Sequence, residues 1–503
     1  MKAPLAGAMA LALGLVLAGC GSGGDARSSG GTLRYVAVGA PATAIHDPHG
    51  GIGNQSDLTR FALLYDVLAK PGADGGTELR LATSIEPDGD DLTSWTVGLR
   101  TDAAFTGGRP VRAADVLFSL RRIHEKAAEN FGRMQMFDLA ASRAVDDHTL
   151  SLKTVRPYAE VPRALESVTF VVPEGTTDFT RPAPGSGPFT MAGGTAQNAV
   201  LERNEDWWGP EPPTRRIEIR AVPDPRARAQ AVISGQADVA GSIAPATAKQ
   251  VAGNADLRVV HRPAVTMYPF VMRLDREPFD DPRVRTAVKL AADREELLAK
   301  VFLGFGKIGN DLLTPADPSS PKDVPQRERD VARAKALLTE AGHPDGLDLT
   351  LATTTSYPGM DTAATLLAQQ LGEAGITVKV RNEPPDTYWT DVFAKSAFYT
   401  GYFGGIPFTD VARVSLLGDA PTNETAWKRP EWDEAYRDAM GVADENERRR
   451  RLGELQRELR DDGGYLVWGA GDGLDLAAAG VRGLPTGAGF GSVFIDRVAL
   501  DAR

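Results

Sequence analysis

The amino-acid sequence predicts an α/β protein built from two or three lobes. Its 503 residues are more than one hydrophobic core usually serves, because single domains mostly hold ~100 to 200 residues. From Phe279 onward, long helical segments alternate with short β-rich runs, which favours a partly parallel sheet covered by helices. The run 182–189 is the densest cluster of proline and glycine in the chain and marks a candidate boundary between lobes.

Strands and helices alternate along most of the chain. We predict strands where apolar and polar residues alternate, and helices where apolar residues recur every three or four positions. The predicted strands are 32–38, 92–99, 217–221, 347–352 and 376–381. The predicted helices are 58–68, 113–120, 226–235, 282–301, 328–342 and 361–375.

The overall composition is that of an ordinary soluble globular protein, with 42% hydrophobic and 24% charged residues. The formal net charge is −11, and an acidic surface argues against nucleic acid as a partner. The chain has one cysteine, Cys20, so it offers neither an internal disulfide nor a second thiol for catalysis.

The N-terminal residues have the pattern of a bacterial lipoprotein signal. The apolar run 3–19 is shorter than the ~20 residues of a bilayer span, and it ends in two small residues followed by Cys20. The thiol is then the acceptor for diacylglycerol. The sequence therefore predicts a signal peptide over 1–19, a lipid on Cys20 and a flexible glycine- and serine-rich tether over 20–31.

Two short patterns suggest cofactor or metal sites and fail in context. The glycine spacing of 304–309 fits a dinucleotide loop, but it follows a helix rather than a strand and no helix opens after it. A glycine turn at the end of a helix is the better interpretation. His46 and His49 lie three residues apart, but Pro48 prevents the helix that would place both rings on one face, so loop capping is favoured.

Catalytic and calcium-binding patterns also fail. The acidic run 88–91 resembles half a calcium loop, but Leu99 occupies the position of the bidentate glutamate, and a turn explains the run. The chain contains neither a Gly-x-Ser-x-Gly nucleophile elbow nor a zinc-protease helix motif. We therefore predict that the protein is not an enzyme and needs neither a cofactor nor a metal.

Four blocks of sequence, in register, carry a resemblance to a known family. The blocks are 81–97 with Phe105, Gly108 and 114–116; 187–189 with 203–204 and 208–209; 278–285 with 292–294; and 334–338 with 341–342. In these blocks the chain resembles the extracytoplasmic solute-binding proteins of ABC importers, in the family of the oligopeptide-, dipeptide- and nickel-binding proteins. The likeness runs from Leu33 to about Val481.

The resemblance implies a two-lobed clamshell of the type II periplasmic-binding-protein class with an extra third domain. Ligands in such proteins are enclosed between the lobes as a hinge closes. The expected boundaries are 32–50, 173–262 and 474–503 for lobe one, 51–172 for the extra domain and 263–473 for lobe two.

The resemblance also implies a ligand-binding loop late in lobe two. In peptide binders of the family an aspartate there pairs with the α-amine of the ligand, but Ile406 stands at that position here, and Asp410 replaces it only if the loop shifts. Arg273 stands where the family often has asparagine, either as a cation for a ligand carboxylate or phosphate or as a surface arginine. Aromatic residues near the loop either stack on ligand or belong to the core. The candidate ligand-binding residues are His46, Arg273, Trp389, Tyr399, Tyr402, Phe403, Gly404, Gly405, Ile406 and Asp410.

The function that the resemblance implies is capture of a peptide or similar solute by a lipid-anchored, monomeric protein on the outer face of the cytoplasmic membrane. The partners would be the permease and ATPase subunits of an ABC importer. Two alternatives stay open: a non-peptide solute such as an oligosaccharide, an opine-like molecule or a metal chelate, and a peptide sensor that does not serve import.

Overall fold

We describe the protein from a computed structural model. The described residues are 31–72, 76–126, 134–166, 169–355, 357, 359–385, 387–487 and 489–501. The predicted signal peptide, the predicted lipidation site at Cys20 and nearly all of the tether lie outside them. Among the described residues no helix combines the length and the apolar character that crossing a membrane requires.

The described secondary structure follows the predicted alternation of strand and helix. The strands are β1 Thr32–Ala37, β2 Ala69–Pro71, β3 Thr77–Leu79, β4 Ala82–Pro87, β5 Ser94–Leu99, β6 Arg143–Asp146, β7 Thr149–Lys153, β8 Phe189–Gly194, β9 Asn198–Arg203, β10 Arg216–Ala221, β11 Val239–Ala240, β12 Leu257–Met272, β13 Gly306–Ile308, β14 Leu347–Thr353, β15 Ile376–Asn382, β16 Phe398–Thr400, β17 Phe403–Gly404, β18 Tyr465–Ala478, β19 Val481–Arg482 and β20 Ala499–Leu500. The helices are α1 Gln55–Leu64, α2 Ala113–Glu125, α3 Val161–Ala164, α4 Pro225–Ile233, α5 Pro245–Val251, α6 Pro282–Ala291, α7 Arg294–Val301, α8 Val331–Glu340, α9 Met360–Glu373, α10 Tyr388–Asp391, α11 Phe408–Val411, α12 Pro430–Met440 and α13 Glu445–Asp462.

One long sheet runs through both lobes in the order β15-β14-β16-β12-β18-β11-β1-β10-β9-β8. Its two middle strands, β12 and β18, are antiparallel and extend from one lobe into the other. Parallel pairs lie on both sides of them: β14 with β15 and β16 in lobe two, and β1 with β10 and β11 in lobe one. A separate antiparallel sheet, β4-β5-β7-β6, forms the extra domain.

The described apolar side chains collect into separate cores, one in lobe two, one in the extra domain and two in lobe one. Lobe two packs around side chains between Met267 and Ala470, and the extra domain around side chains between Leu68 and Val171. Lobe one includes Val493 and its neighbours near the C-terminus. It also includes α1, which our boundaries place in the extra domain, because Phe61 and its neighbours face the strands of lobe one.

The segment 282–301 is two helices rather than the single helix that its apolar spacing predicts. Ala292 is extended, with ψ 126°, and Asp293 caps the second helix by accepting a hydrogen bond from the N–H of Glu296 over 2.8 Å. The glycine run that follows is a turn at the end of α7, as predicted. Gly304 has a φ of 87° there, and the chain continues into the short strand β13.

The two long strands bend where they pass between the lobes. Three residues of β12, 263–265, face Asp472 of β18 alone, and the N–H of Ala264 donates to Asp472 Oδ1 over 2.7 Å. A side chain at Gly473 would place its Cβ 2.9 Å from Arg262 Nε. A side chain at this position would therefore displace that of Arg262, and the bulge beside it is a candidate hinge between the lobes.

Candidate functional site

The parallel strands of lobe two all end toward lobe one. β16 is antiparallel to β12, and β12 enters lobe two from lobe one, so the carboxyl end of β16 lies near the crossing point of the lobes. β14 and β15 run parallel to β16 and end at the same edge. In open α/β sheets ligands bind outside the carboxyl ends of the strands.

The strands of lobe one end at the facing edge. β11 pairs with β18 so that Ala240 lies nearer the crossing than Val239, and β1 and β10 run parallel to β11. The loops after these strands, 38–54, 222–224 and 241–244, therefore face the loops of lobe two. The space between these two sets of loops is the candidate site.

Three aromatic side chains lie together at the lobe-two edge, and we call them the aromatic cluster: Tyr357, Trp389 and Tyr402. The rings of Tyr357 and Tyr402 are stacked, with centroids 3.8 Å apart and planes 23° apart. Trp389 meets Tyr402 edge-on at 5.3 Å. All three are partly exposed, so they offer ring faces or edges to a ligand.

Burial keeps the hydroxyl groups of the cluster uncharged. It raises the pKa of Tyr402, and the nearby hydroxyl of Tyr357 raises it further. The pKa of Tyr357 is raised by burial as well. At neutral pH the lobe-two edge therefore presents neutral, amphipathic rings.

Tyr399 and Phe403 flank the cluster in sequence but belong to the core. Tyr399 is fully buried in β16, and its hydroxyl accepts a hydrogen bond from the N–H of Ala394 over 3.1 Å. Phe403 is 7% exposed and packs edge-on against Tyr465. Both side chains therefore pack in the interior of lobe two, beneath the edge that carries the aromatic cluster.

The short segment after the cluster presents backbone to the cleft. Gly404 and Ile406 are exposed, and a Cβ at Gly404 would meet no atom within 4 Å. Gly405 lies against the C-terminal part of lobe one, since a Cβ at Gly489 would lie 2.5 Å from the carbonyl oxygen of Gly405. This segment is therefore the place where the two lobes meet beside the cluster.

The structure gives Asp410 and Arg273 partners of their own. Arg413 Nη2 lies 3.1 Å from Asp410 Oδ1 in α11. Arg273 pairs with Asp275 at 2.8 Å and donates to the carbonyl of Ala394. Arg273 also follows the end of β12 that lies away from the crossing, roughly 30 Å along the strand at ~3.3 Å per residue. Arg273 therefore lies away from the space between the lobes, and the charge of Asp410 is balanced by Arg413.

His46 lies in the lobe-one loop that faces the cluster. Its Nδ1 is 3.2 Å from Arg60 Nη1, and Arg60 forms a buried pair with Asp57 at 2.7 Å. Burial and the charge of Arg60 lower the pKa of His46, so the ring is neutral at pH 7. His49 is buried with Nε2 2.7 Å from the carbonyl of Phe170, and burial lowers its pKa to about 4.

Metal-binding residues are not gathered anywhere in the described part of the chain, where no three His, Cys, Asp or Glu side chains meet as a metal site requires. A buried carboxyl group does lie behind the aromatic cluster. Glu424 Oε2 is 3.4 Å from the Tyr399 hydroxyl, and burial raises the pKa of Glu424 to about 8. Glu424 therefore lies in the interior of lobe two, against Tyr399, rather than in the cleft.

Tyr357 and Glu424 are the residues that sequence reasoning missed. Tyr357 follows β14, and only the parallel pairing of β14 with β16 brings it to Tyr402. Its position just after a predicted strand, in the loop before a predicted helix, is the signal that could have identified it. The sequence around Glu424 offers no comparable signal.

Comparisons with known proteins agree with this architecture. The profile of the bacterial extracellular solute-binding proteins, family 5 Middle, matches residues 77–422. The glutathione-binding protein GsiB of Pectobacterium atrosepticum is 25% identical over 414 residues, which cover 77% of this chain and 79% of the relative.

Two solved structures show the same fold. DppA of Helicobacter pylori, in complex with the peptide STSA, has a TM-score of 0.81 at 20% identity and covers 95% of this chain and 99% of its own. AgaA of A. tumefaciens R10, in complex with agropinic acid, has a TM-score of 0.79 at 22% identity, with 94% and 99% covered. At these identities the likeness concerns the fold.

These findings confirm the predicted α/β clamshell and the predicted family. Proteins of this family are solute-binding proteins rather than enzymes, and they work outside the cytoplasm with the permease and ATPase subunits of ABC transporters. The match to the family profile covers more than half of this sequence. The chain belongs to family 5 of the bacterial extracellular solute-binding proteins.

Proposed function

We propose that the protein is a lipid-anchored, monomeric receptor that captures a peptide in the cleft and passes it to an ABC permease. The observation that carries this proposal is the facing of two sets of strand ends, with the aromatic cluster on one side and loop backbone on the other. Backbone groups hydrogen-bond an extended peptide of any sequence, and neutral rings accept its side chains.

The relatives support a peptide ligand in part. GsiB is named for glutathione, a tripeptide, and the DppA structure contains a tetrapeptide. For this chain we propose peptide binding without a charged contact to the α-amine of the peptide. Within residues 401–410, all of which are described, the one carboxylate is Asp410, and it is paired with Arg413.

A non-peptide solute is the second candidate, and the same observation favours it. A cleft with paired charges and neutral rings suits the face of a sugar ring or an opine-like molecule. AgaA, which shares the fold, was solved with agropinic acid. The two candidates differ in what the cleft must recognise: peptide backbone in one case, a polar ring or acid in the other.

Native mass spectrometry of the purified protein tests both candidates. We expect a co-purified peptide, and we expect members of a di- to pentapeptide library to raise the melting temperature. A co-purified sugar or opine, with no peptide that shifts melting, would refute the peptide proposal and leave solute capture standing. The absence of any bound or stabilising solute would refute capture itself.

Two further experiments test the anchor and the importer. Replacing Cys20 with serine should release the protein into the medium with its ligand affinity unchanged, because the tether 20–31 separates the lipid from the lobes. Loss of affinity would mean that the anchor is part of the fold. Permease and ATPase genes beside this gene would support import, and deletion of those genes without loss of solute uptake would favour a sensor.

A further inference from the structure

The extra domain touches lobe two at a point outside the two hinge strands. Residues 157–160 of the extra domain lie against the turn between α12 and α13. The N–H of Ala159 donates to the carbonyl of Met440 over 2.7 Å. Pro157 lies close to Gly441, because a Cβ at Gly441 would be 3.1 Å from Pro157 Cβ. This is a packed contact with a backbone hydrogen bond across two units.

A buried ion pair strengthens the contact. Arg448 of α13 donates through Nε over 2.6 Å and through Nη2 over 2.5 Å to Oε1 of Glu160. The side chain of Arg448 is 7% exposed and that of Glu160 18%. The other guanidinium nitrogen of Arg448 is held by the carbonyls of Val442 and Ala443, so the cation is oriented before Glu160 arrives.

Tyr158 fills the space beside the ion pair. Its ring packs against the cores of both units, while its N–H donates to the carbonyl of Leu92 within the extra domain. Asp410 and Arg413 of lobe two are among the charges near it, and burial together with Asp410 raises the pKa of Tyr158. Tyr158 therefore reaches α11, the helix that follows the segment beside the aromatic cluster.

Among the described residues, and apart from the exposed pair Arg156–Glu434, the other polar contacts of the extra domain hold it to lobe one. Asp47 of the first lobe-one loop binds Arg122 of α2 at 2.6 Å. The indole Nε1–H of Trp208 donates to Asp66 Oδ2 over 2.8 Å, and Asp66 also binds Arg80. A rotation of lobe two about β12 and β18 would therefore move α12 and α13 relative to residues 157–160.

We propose that residues 157–160 and 440–448 form a clasp that joins when the cleft closes and parts when it opens. The extra domain then takes part in closure together with the two lobes, and the clasp helps to set the fraction of unliganded molecules that are closed. Because a ligand enclosed by a rarely closed protein binds weakly, the clasp contributes to affinity without touching the ligand.

Glu160→Gln tests the clasp, with Arg156→Ala as its matched control. Glu160 binds across the contact, whereas Arg156 pairs with Glu434 at 3.7 Å between two side chains that are 60% and 57% exposed. Exposed pairs of that kind contribute little. Hydrogen exchange and small-angle X-ray scattering are both measured on the unliganded chain, so the result does not depend on the proposed ligand.

We expect E160Q to exchange about tenfold faster at the Ala159 amide and in 440–443, which corresponds to ~1.4 kcal/mol. Strands β12 and β18 should keep the protection of the unsubstituted protein. We also expect a larger radius of gyration for E160Q, and no change of either kind for R156A. Unchanged exchange at Ala159, an unchanged radius of gyration, or equal acceleration throughout the chain would each overturn the proposal.

Discussion

The two sides of the cleft differ in the chemistry that they offer to a ligand. The lobe-two side carries stacked aromatic rings, Tyr357 and Tyr402, with Trp389 against them. The lobe-one side carries small residues in its first loop, from Gly39 to Ala44, and the single ring of His46. Large rings contribute most of the contact area in such sites. From this difference we propose that lobe two holds the ligand and lobe one covers it.

The two sides also rest on different interiors. Behind the lobe-one loop, Arg60 and Asp57 form a fully buried ion pair. Behind the aromatic cluster, Glu424 is fully buried and its contacts are hydroxyl groups, those of Tyr399 and Ser415. A charge on Glu424 is thus poorly compensated, which makes the ligand-holding side the one that responds to pH.

The largest effect on affinity is expected from Tyr402→Ala. Removing a central ring from a partly desolvated cluster typically costs ~2 to 3 kcal/mol, or ~30- to 150-fold in affinity. Calorimetry with the solute that native mass spectrometry identifies would measure it. The control on the facing side is Ala42→Ser, at an exposed position of the first lobe-one loop, which should change affinity less than twofold. Equal losses in the two variants would abolish the distinction between the lobes.

Glu424→Gln should remove a pH dependence that belongs to lobe two. The folded pKa of about 8 lies above the ordinary value of 4.5, so the folded state retains a proton that the unfolded state has lost. The stability contributed by this proton is complete below pH 4.5 and is lost as pH rises toward 8. Urea unfolding should show E424Q gaining on the unsubstituted protein by at most ~1.4 kcal/mol per pH unit between pH 6.5 and 8.

Comparing the two proteins at each pH cancels the titration of other groups, such as His49. If their unfolding free energies stayed parallel across this range, Glu424 would be ionised in the folded protein. The interior behind the aromatic cluster would then hold an anion just as the interior behind the lobe-one loop does, and the contrast between the two sides would fail.

Sequence reasoning located the strands and helices better than the side chains that face the cleft. β14, α9 and β15 begin and end within two residues of the prediction, because their apolar periodicity is set locally. Tyr399 and Tyr402 are both aromatic and three residues apart, yet one lies in the core and the other at the edge. Which of the two rings is buried depends on strands that are distant in sequence, and local periodicity carries no information about those strands.

The sequence likewise does not show whether the two charged candidates, Arg273 and Asp410, pair with neighbouring charges. Arg273 stands where the family often has asparagine, and Asp410 lies four residues after Ile406, which occupies the position of the amine-binding aspartate. Each of the two charges binds a charge two or three residues away, Asp275 or Arg413. Both partners are visible in the sequence. Whether the pair forms is decided by the backbone conformation between the two charges, which composition and spacing leave open.

Gly489→Ala should weaken binding less than Tyr402→Ala does, because it acts on closure alone. Gly489 has a φ of 62°, and its Cβ would lie 2.5 Å from the carbonyl oxygen of Gly405 across the lobes. We expect a ~5- to 10-fold loss of affinity, or ~1 to 1.4 kcal/mol. Gly487→Ala is the control, since a Cβ there meets no atom within 4 Å. Equal affinities for the two alanine variants would show that the lobes do not meet at Gly405.

The smallest effect is expected from His46→Gln on the lobe-one side. The amide oxygen of the substituted side chain would keep an acceptor for Arg60, whose other partners, Asp57 and the carbonyl of Ile45, remain in place. The neutral imidazole of His46 can make at most one hydrogen bond to the ligand. A single neutral hydrogen bond contributes ~1 kcal/mol or less when water can replace it. We therefore expect about a twofold change in affinity by calorimetry, with no change in its pH dependence between pH 6 and 8, since burial and Arg60 keep the pKa of His46 below its ordinary value. A loss of affinity as large as that of Tyr402→Ala would mean that both lobes hold the ligand through side chains. Lobe one would then bind the ligand rather than only cover it.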